Sequence, residues 1–234
     1  MVDPLTCIAV IDTETTGFPP DATMCQVART NLRLYPDGWQ IEDGPHEAFV
    51  DPGRPIPAIV SAVHHIVDDD CIGAMGQEEA IRFATAGADI VAAHNWEFDR
   101  QFVRTALPYI CTLKVARKVW PDLESHGNQA IRYARRICMS AEERLQAAHR
   151  AGFDTWITAH ILLDLLNAMP VEKMLEVSEQ PSLLLRMPGG NKHRGTHFSE
   201  IARKDPGYLR WIIDKSEFGE DVKHSARHAL GSAT

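Results

Sequence analysis

Hydrophobic and polar positions follow two rhythms along this chain: short apolar blocks, and longer stretches with helical spacing. Leu5 to Ile11 is a brief apolar run rich in β-branched residues, ended by Thr16-Gly17-Phe18-Pro19-Pro20, and predicts a buried strand. Val27 to Tyr35 and Trp39 to Val50 flank Pro36-Asp37-Gly38 and predict a hairpin. Gln77 to Thr85 has helical character and Ala88 to Ala93 reads as a second buried strand. Glu97 to Thr105 places Phe98, Phe102 and Val103 at helical spacing, and a short strand follows near Tyr109 to Leu113. Strands come first, then helix and strand alternate, which predicts an α/β fold with a mixed sheet flanked by helices. Pro181 and Met187-Pro188-Gly189-Gly190-Asn191 break the pattern. A main domain over 1–180 and a small, mostly helical C-terminal module over 187–234 are therefore expected.

Composition places the chain among ordinary globular proteins, with 44% hydrophobic and 24% charged residues in 234. Its apolar runs fall short of the roughly 18 residues a membrane span needs, and the N-terminus lacks a basic-then-apolar leader. A cytoplasmic protein with no membrane partner is expected. Cys7, Cys25, Cys71, Cys111 and Cys138 are odd in number and scattered without a CxxC pair, which argues against a disulfide framework or a zinc ribbon. The net charge of -8 disfavours a broad duplex-binding surface. The charge is uneven, however: residues 187–234 hold 8 Lys+Arg against 6 Asp+Glu.

The candidate chemistry lies in acids set against apolar sequence. Asp12 and Glu14 follow CIAVI, Asp99 follows ADIVAAHN, and Asp154 precedes WITAHILLDLL. A carboxylate in such surroundings costs several kcal/mol unless something positive compensates it. Oxygen ligands suit Mg²⁺ or Mn²⁺. Two such ions roughly 3.5–4 Å apart can clamp the attacking and leaving oxygens of a phosphoryl displacement. Asp12 and Glu14 are two apart, so an extended strand points both to one face; taken alone, a turn-initiating Asp and a solvated Glu would explain them as well. Thr15, Thr16 and Gly17 would let the backbone approach a nucleotide closely. Asn95 is expected to cap the helix that carries Asp99. Asp154 shares a helical face with Thr158, Ile161 and Leu165. His149 lies about 140° from it in a continuous helix, so the two converge only if His149 sits in the lead-in loop, which Gly152 would favour. An imidazole there could take a proton from water near neutral pH.

IDTETTG, AHNWEFD and HRAGFD together resemble the three motifs of the DEDD 3′→5′ exonuclease superfamily, in its histidine-containing (DEDDh) branch. ICTLKVARKVWP at 110–121, Asn128, PSLL at 181–184 and RKDPGYLRWI at 203–212 extend the resemblance, within that branch, to an exodeoxyribonuclease subfamily over nearly the whole chain. The resemblance implies a ribonuclease H-like fold and a metal-dependent 3′→5′ exodeoxyribonuclease, a DNA repair type of activity releasing nucleoside 5′-monophosphates. It implies that Asp12, Glu14, Asp99 and Asp154 hold two Mg²⁺ ions, replaceable by Mn²⁺, and that His149 is the general base. Thr15, Thr16 and Asn95 would lie near the terminal nucleotide, and His64 near the site entrance. Gln26 stands where many relatives carry a glutamate, and Gly152 where the residue is often larger and apolar. In the C-terminal module Lys192 and Arg194 are candidate phosphate contacts, while Tyr208 and Trp211 are expected in its core. DNA is expected as the nucleic-acid partner over RNA. An RNA exonuclease on the same scaffold, or an inactive interaction module, are the rival readings.

Overall fold

The computed structural model describes residues 6–142, 149–189 and 192–232; Leu5, Gly190 and Asn191, named above, lie outside them. The chain divides into two compact units, Met1–Ser178 and Glu179–Thr234.

The first unit is built on a five-stranded sheet in the order β3-β2-β1-β4-β5. Its strands are β1 (Cys7–Thr15), β2 (Met24–Tyr35), β3 (Gly38–Phe49), β4 (Ile90–Ala93) and β5 (Tyr109–Cys111). The first three pair antiparallel, and β4 and β5 add in parallel to β1. This is the expected mixed sheet. Seven helices of this unit are described: α1 (Ala58–His64), α2 (Gln77–Thr85), α3 (Trp96–Asp99), α4 (Thr112–Val119), α5 (Asn128–Arg135), α6 (Ala151–Leu166) and α7 (Val171–Glu179).

Period-two alternation in β1 feeds two cores. Ile8 and Val10 pack with Ile157, Ile161 and Leu165 of α6 on one face, while Ala9 and Ile11 pack with Trp96, Phe102 and Val103 on the other. Two elements are shorter than their patterns suggest. The helix expected over 97–105 ends at Asp99; beyond it Gln101 and Phe102 make tighter three-residue turn bonds, to the Phe98 and Asp99 carbonyls, and Phe102 and Val103 are buried. The last strand stops at Cys111, since Thr112 opens α4.

The second unit contains α8 (Phe198–Lys204), α9 (Pro206–Lys215) and α10 (Glu220–Gly231) around Phe198, Ile201, Leu209, Ile212, Val222 and Ala226. Tyr208 packs against this core, whereas Trp211, expected inside it, is 46% exposed and stacks on Tyr208 at 5.6 Å between ring centroids. Among the described residues no helix is long and apolar enough to cross a membrane.

Candidate active site

β1 continues through the acidic pair. Asp12 lies opposite Ala28 and Glu14 opposite Gln26, so both carboxylates occupy the last pleats of the strand, on the face toward α6. The hydrophobic layer ends where they begin. Asp99 closes α3 on the other side of the sheet and is 2% exposed; its Oδ1 accepts a 2.9 Å hydrogen bond from the Thr13 hydroxyl. Thr13, the odd residue between the two acids, thus reaches the third one.

Asp154 sits in the first turn of α6 and holds the preceding loop. Its Oδ2 accepts the His149 amide at 2.9 Å and its Oδ1 the Gln129 side chain at 3.3 Å. His149 has a left-handed backbone, φ 62°, and lies ahead of the helix, which is the geometry that lets the two residues converge. Ligand atoms of Glu14, His149 and Asp154 all fall within 4.8 Å of one another. Gln129 is itself bound through its Oε1 by the buried Arg132, whose guanidinium lies 4.9 Å from the Phe153 ring centre.

The cost of this cluster is visible in its protonation. Burial, followed by repulsion from Asp99, Glu14 and Asp154, holds Asp12 well above the usual carboxylate range. Burial, with Asp154 and Asp99 adding, pushes Glu14 up to about 8, although Arg150 pulls against it. Asp99 rises to about 7 through burial, despite the Thr13 hydroxyl. Burial raises Asp154 too, against the opposing His149 amide. Among the described residues, no Lys or Arg forms an ion pair with any of the four. A donor set of one buried and three half-buried carboxylates plus one imidazole, short of positive charge, fits a divalent cation.

The other expected site residues are placed unevenly. Asn95 is exposed beside the site at φ 77°, but its side chain makes no capping bond, contrary to the expectation that it caps α3. Thr15 and Thr16 are buried, and their hydroxyls close the loop after β1: Thr15 Oγ1 donates to the Gly17 carbonyl at 2.7 Å and Thr16 Oγ1 accepts the Thr23 amide at 3.1 Å. His64, expected near the entrance, is 1% exposed. Its Nδ1 accepts the Ile66 amide at 3.0 Å, which leaves Nε2–H facing the Thr15 carbonyl at 3.3 Å, and it lies within electrostatic reach of Arg150 and His149. In the second unit, Lys192 and His193 both bind Asp205 Oδ2, at 2.8 and 3.0 Å, and Asp205 caps α9 through the Tyr208 amide. Lys192 therefore serves a helix cap, while Arg194 is exposed.

Sequence reasoning missed Thr13, Gln129, Arg132 and Glu47. Gln129, Arg132 and Glu47 lie outside the quoted motifs, and Thr13, although inside IDTETTG, acts on an acid 86 positions away, so no local spacing marks these roles. Glu47 Oε2 accepts the Gly152 amide at 3.2 Å, and Gln26 Oε1 the Ala151 amide at 3.2 Å.

Comparison with known proteins accords with this arrangement. The Exonuclease family profile matches residues 9–162. The chain is 31% identical over 228 residues to Exodeoxyribonuclease 10 of Escherichia coli K12, covering 95% of this chain and 98% of that protein. It is also 31% identical over 172 residues to the PolC-type DNA polymerase III of Bacillus subtilis, covering 68% of this chain and 11% of that one. Among solved structures, Exonuclease X in complex with 5′-overhanging duplex DNA superposes with a TM-score of 0.62 at 28% identity, covering 73% of this chain and 99% of that chain. Exonuclease I of E. coli with a dT13 oligonucleotide shares the fold at a TM-score of 0.54 and 15% identity, over 73% of this chain and 43% of that one. Proteins of this family depend on divalent metal ions. The chain belongs to the exonuclease family and is a nuclease, a hydrolase of nucleic acid on a ribonuclease H-like fold.

Proposed function

We propose that this chain is a 3′→5′ exodeoxyribonuclease that removes nucleoside 5′-monophosphates from DNA 3′ ends, with the first unit as its catalytic domain and the second as a C-terminal module. The observation that carries this reading is the convergence of Asp12, Glu14, Asp99 and Asp154 at one sheet end, with His149 against two of them, in a chain similar end to end to Exodeoxyribonuclease 10. DNA is favoured over RNA by that similarity. The four buried thiols of Cys7, Cys25, Cys71 and Cys111 fit a reducing, cytoplasmic setting.

Asp12, Glu14, Asp99 and Asp154 would hold two Mg²⁺ ions, with Mn²⁺ as a substitute. When bound, such ions supply Lewis-acid polarisation of the phosphate and a lowered pKa for water. The protein's own groups do the rest. His149 is exposed, so it can meet solvent and substrate, and it takes the proton of the attacking water. Water attacks the terminal phosphorus, the bond to O3′ of the penultimate nucleotide breaks, and the 5′-monophosphate leaves. Asp154 keeps the imidazole in place through the His149 amide, Gln129 orients Asp154, and Thr13 orients Asp99. Asn95, exposed at the start of the helix that carries Asp99, would meet the terminal nucleotide, and Arg194 is a candidate phosphate contact.

The test is digestion of 5′-labelled single-stranded DNA, duplex DNA and matched RNA with and without Mg²⁺. Expected is a ladder shortening one nucleotide at a time from the 3′ end, faster on DNA. Internal cuts, shortening from the 5′ end, or equal rates in EDTA would sink the proposal.

A further inference from the structure

The first turn of α6 carries the site's most delicate geometry, yet it lacks a local cap. Arg150, at the N-cap position, makes no side-chain bond to the turn. The amides of Ala151 and Gly152 have no partner inside the helix, as for any first turn. Both are met from the sheet. Gln26 on β2 accepts the Ala151 amide at 3.2 Å, Glu47 on β3 accepts the Gly152 amide at 3.2 Å, and Gln26 Nε2 lies 3.4 Å from the same Glu47 oxygen. Gln26 also pairs in register with Glu14. A continuous line therefore runs from Glu14 through Gln26 and Glu47 to the turn holding Asp154 and the His149 loop.

Gly152 is what admits Glu47. A Cβ built on the buried Gly152 would lie 2.3 Å from Glu47 Oε2 and 3.0 Å from its Cδ. Any other residue at 152 would push the carboxylate off the turn. The negative oxygen also sits where the helix dipole is positive, which favours it there over a neutral group.

The geometry points to Glu47 as a positioning residue: seated in the slot at Gly152 and linked to Gln26, it holds the start of α6 so that His149 and Asp154 face Glu14 across the site. This inference rests on the reading of His149 and Asp154 as site residues. Glu47 bonds the Gly152 amide and the Gln26 side chain and none of the four acids, so its removal should change the alignment of the reacting groups more than binding.

The experiment compares wild type with Glu47→Ala, Glu47→Gln, Gly152→Ala and the double variant Glu47→Ala/Gly152→Ala, using the full chain, a 5′-labelled DNA oligonucleotide and Mg²⁺. Glu47→Ala and Gly152→Ala should each lower kcat roughly 10- to 100-fold, the scale of misplacing a catalytic group by about 1 Å, with KM within about twofold. The double variant should be no worse than the weaker single, because both remove one interaction. Glu47→Gln, which keeps an accepting oxygen, should restore most of kcat. Amide exchange in the metal-free protein supplies a readout independent of turnover: Ala151 and Gly152 should exchange faster in Glu47→Ala and remain protected in Glu47→Gln. Unchanged kcat and exchange in Glu47→Ala, or losses that multiply in the double variant, would overturn the inference. A wild-type protein without metal-dependent exonuclease activity would overturn the functional reading instead, while the exchange data would still report on the clamp.

Discussion

Stripping metal from this protein should make it lose stability as the pH rises from 6.8 to 8.0. Asp12, Glu14, Asp99 and Asp154 all have raised carboxyl pKa values, with Glu14 near 8 and Asp99 near 7. In the unfolded chain the same groups titrate near 4. Across the window the folded state therefore keeps protons that the unfolded state has already lost, and stability falls with pH by about 1.4 kcal/mol per pH unit for each proton retained. The window is chosen so that other groups stay quiet. His64, His94 and His126 have lowered values, so their effect is exerted mainly below the unfolded histidine range. The buried thiols are raised, so theirs falls above the unfolded cysteine range. With one to two protons retained, the loss is roughly 2–3 kcal/mol, or about 4–12 °C in Tm for a chain of this size. Saturating Mg²⁺ or Mn²⁺ binds the ionised form and should restore about 3 kcal/mol at 100 times Kd. Circular-dichroism melts at pH 6.8, 7.4 and 8.0, in EDTA and in 10 mM divalent salt, measure both effects. A flat Tm in EDTA, or no rise in Tm with metal at pH 8.0, would show that the four acids do not form one strained cluster.

Asp12→Asn should abolish turnover and, by removing one of the repelling carboxylates, raise the metal-free Tm at pH 8.0; a stable, fully active variant would contradict the site. His149→Ala should lower kcat by about 10²- to 10⁴-fold, the usual contribution of a general base, and flatten the acid limb of the pH–rate profile, with metal-induced stabilisation retained. Thr13→Val deletes the donor to buried Asp99; a loss of roughly 1.5–3 kcal/mol at pH 8.0, where Asp99 is ionised, is expected by chemical denaturation and should shrink at pH 6. Asp205→Ala removes the α9 cap and the acceptor that Lys192 and His193 share, so about 1 kcal/mol of stability should be lost by the second unit, with turnover unchanged.

Much of the site was legible because its acids sit where periodicity is simplest. Ile8, Val10, Asp12 and Glu14 share one parity, so a single strand assignment predicts both the buried face and the side on which the acids emerge. Asp99, Asp154 and His149 were identifiable from ordered motifs that resemble a family. What escaped was of two kinds. Partners remote in sequence left no local trace: Thr13 reaches Asp99 across 86 positions, and Glu47 reaches Gly152 across 105. Polar side chains that read as ligands were also drawn into the backbone's own needs. Thr15 and Thr16 close a turn and His64 binds strand carbonyl and loop amide, because a buried donor or acceptor takes the nearest partner the fold offers, while the exposed Lys192 bonds the capping Asp205.

The division of β1 between two cores has a consequence for how errors would propagate. Slipping this strand by one residue against β2 or β4 would turn Ile8 and Val10 into the opposite hydrophobic layer and send Thr13 and Thr15 to the place of Asp12 and Glu14. Such a chain would misfit on both sides of the sheet at once. Loss of the acid cluster and loss of packing would then come together, so for this strand the register that fits the two cores is also the one that builds the candidate site.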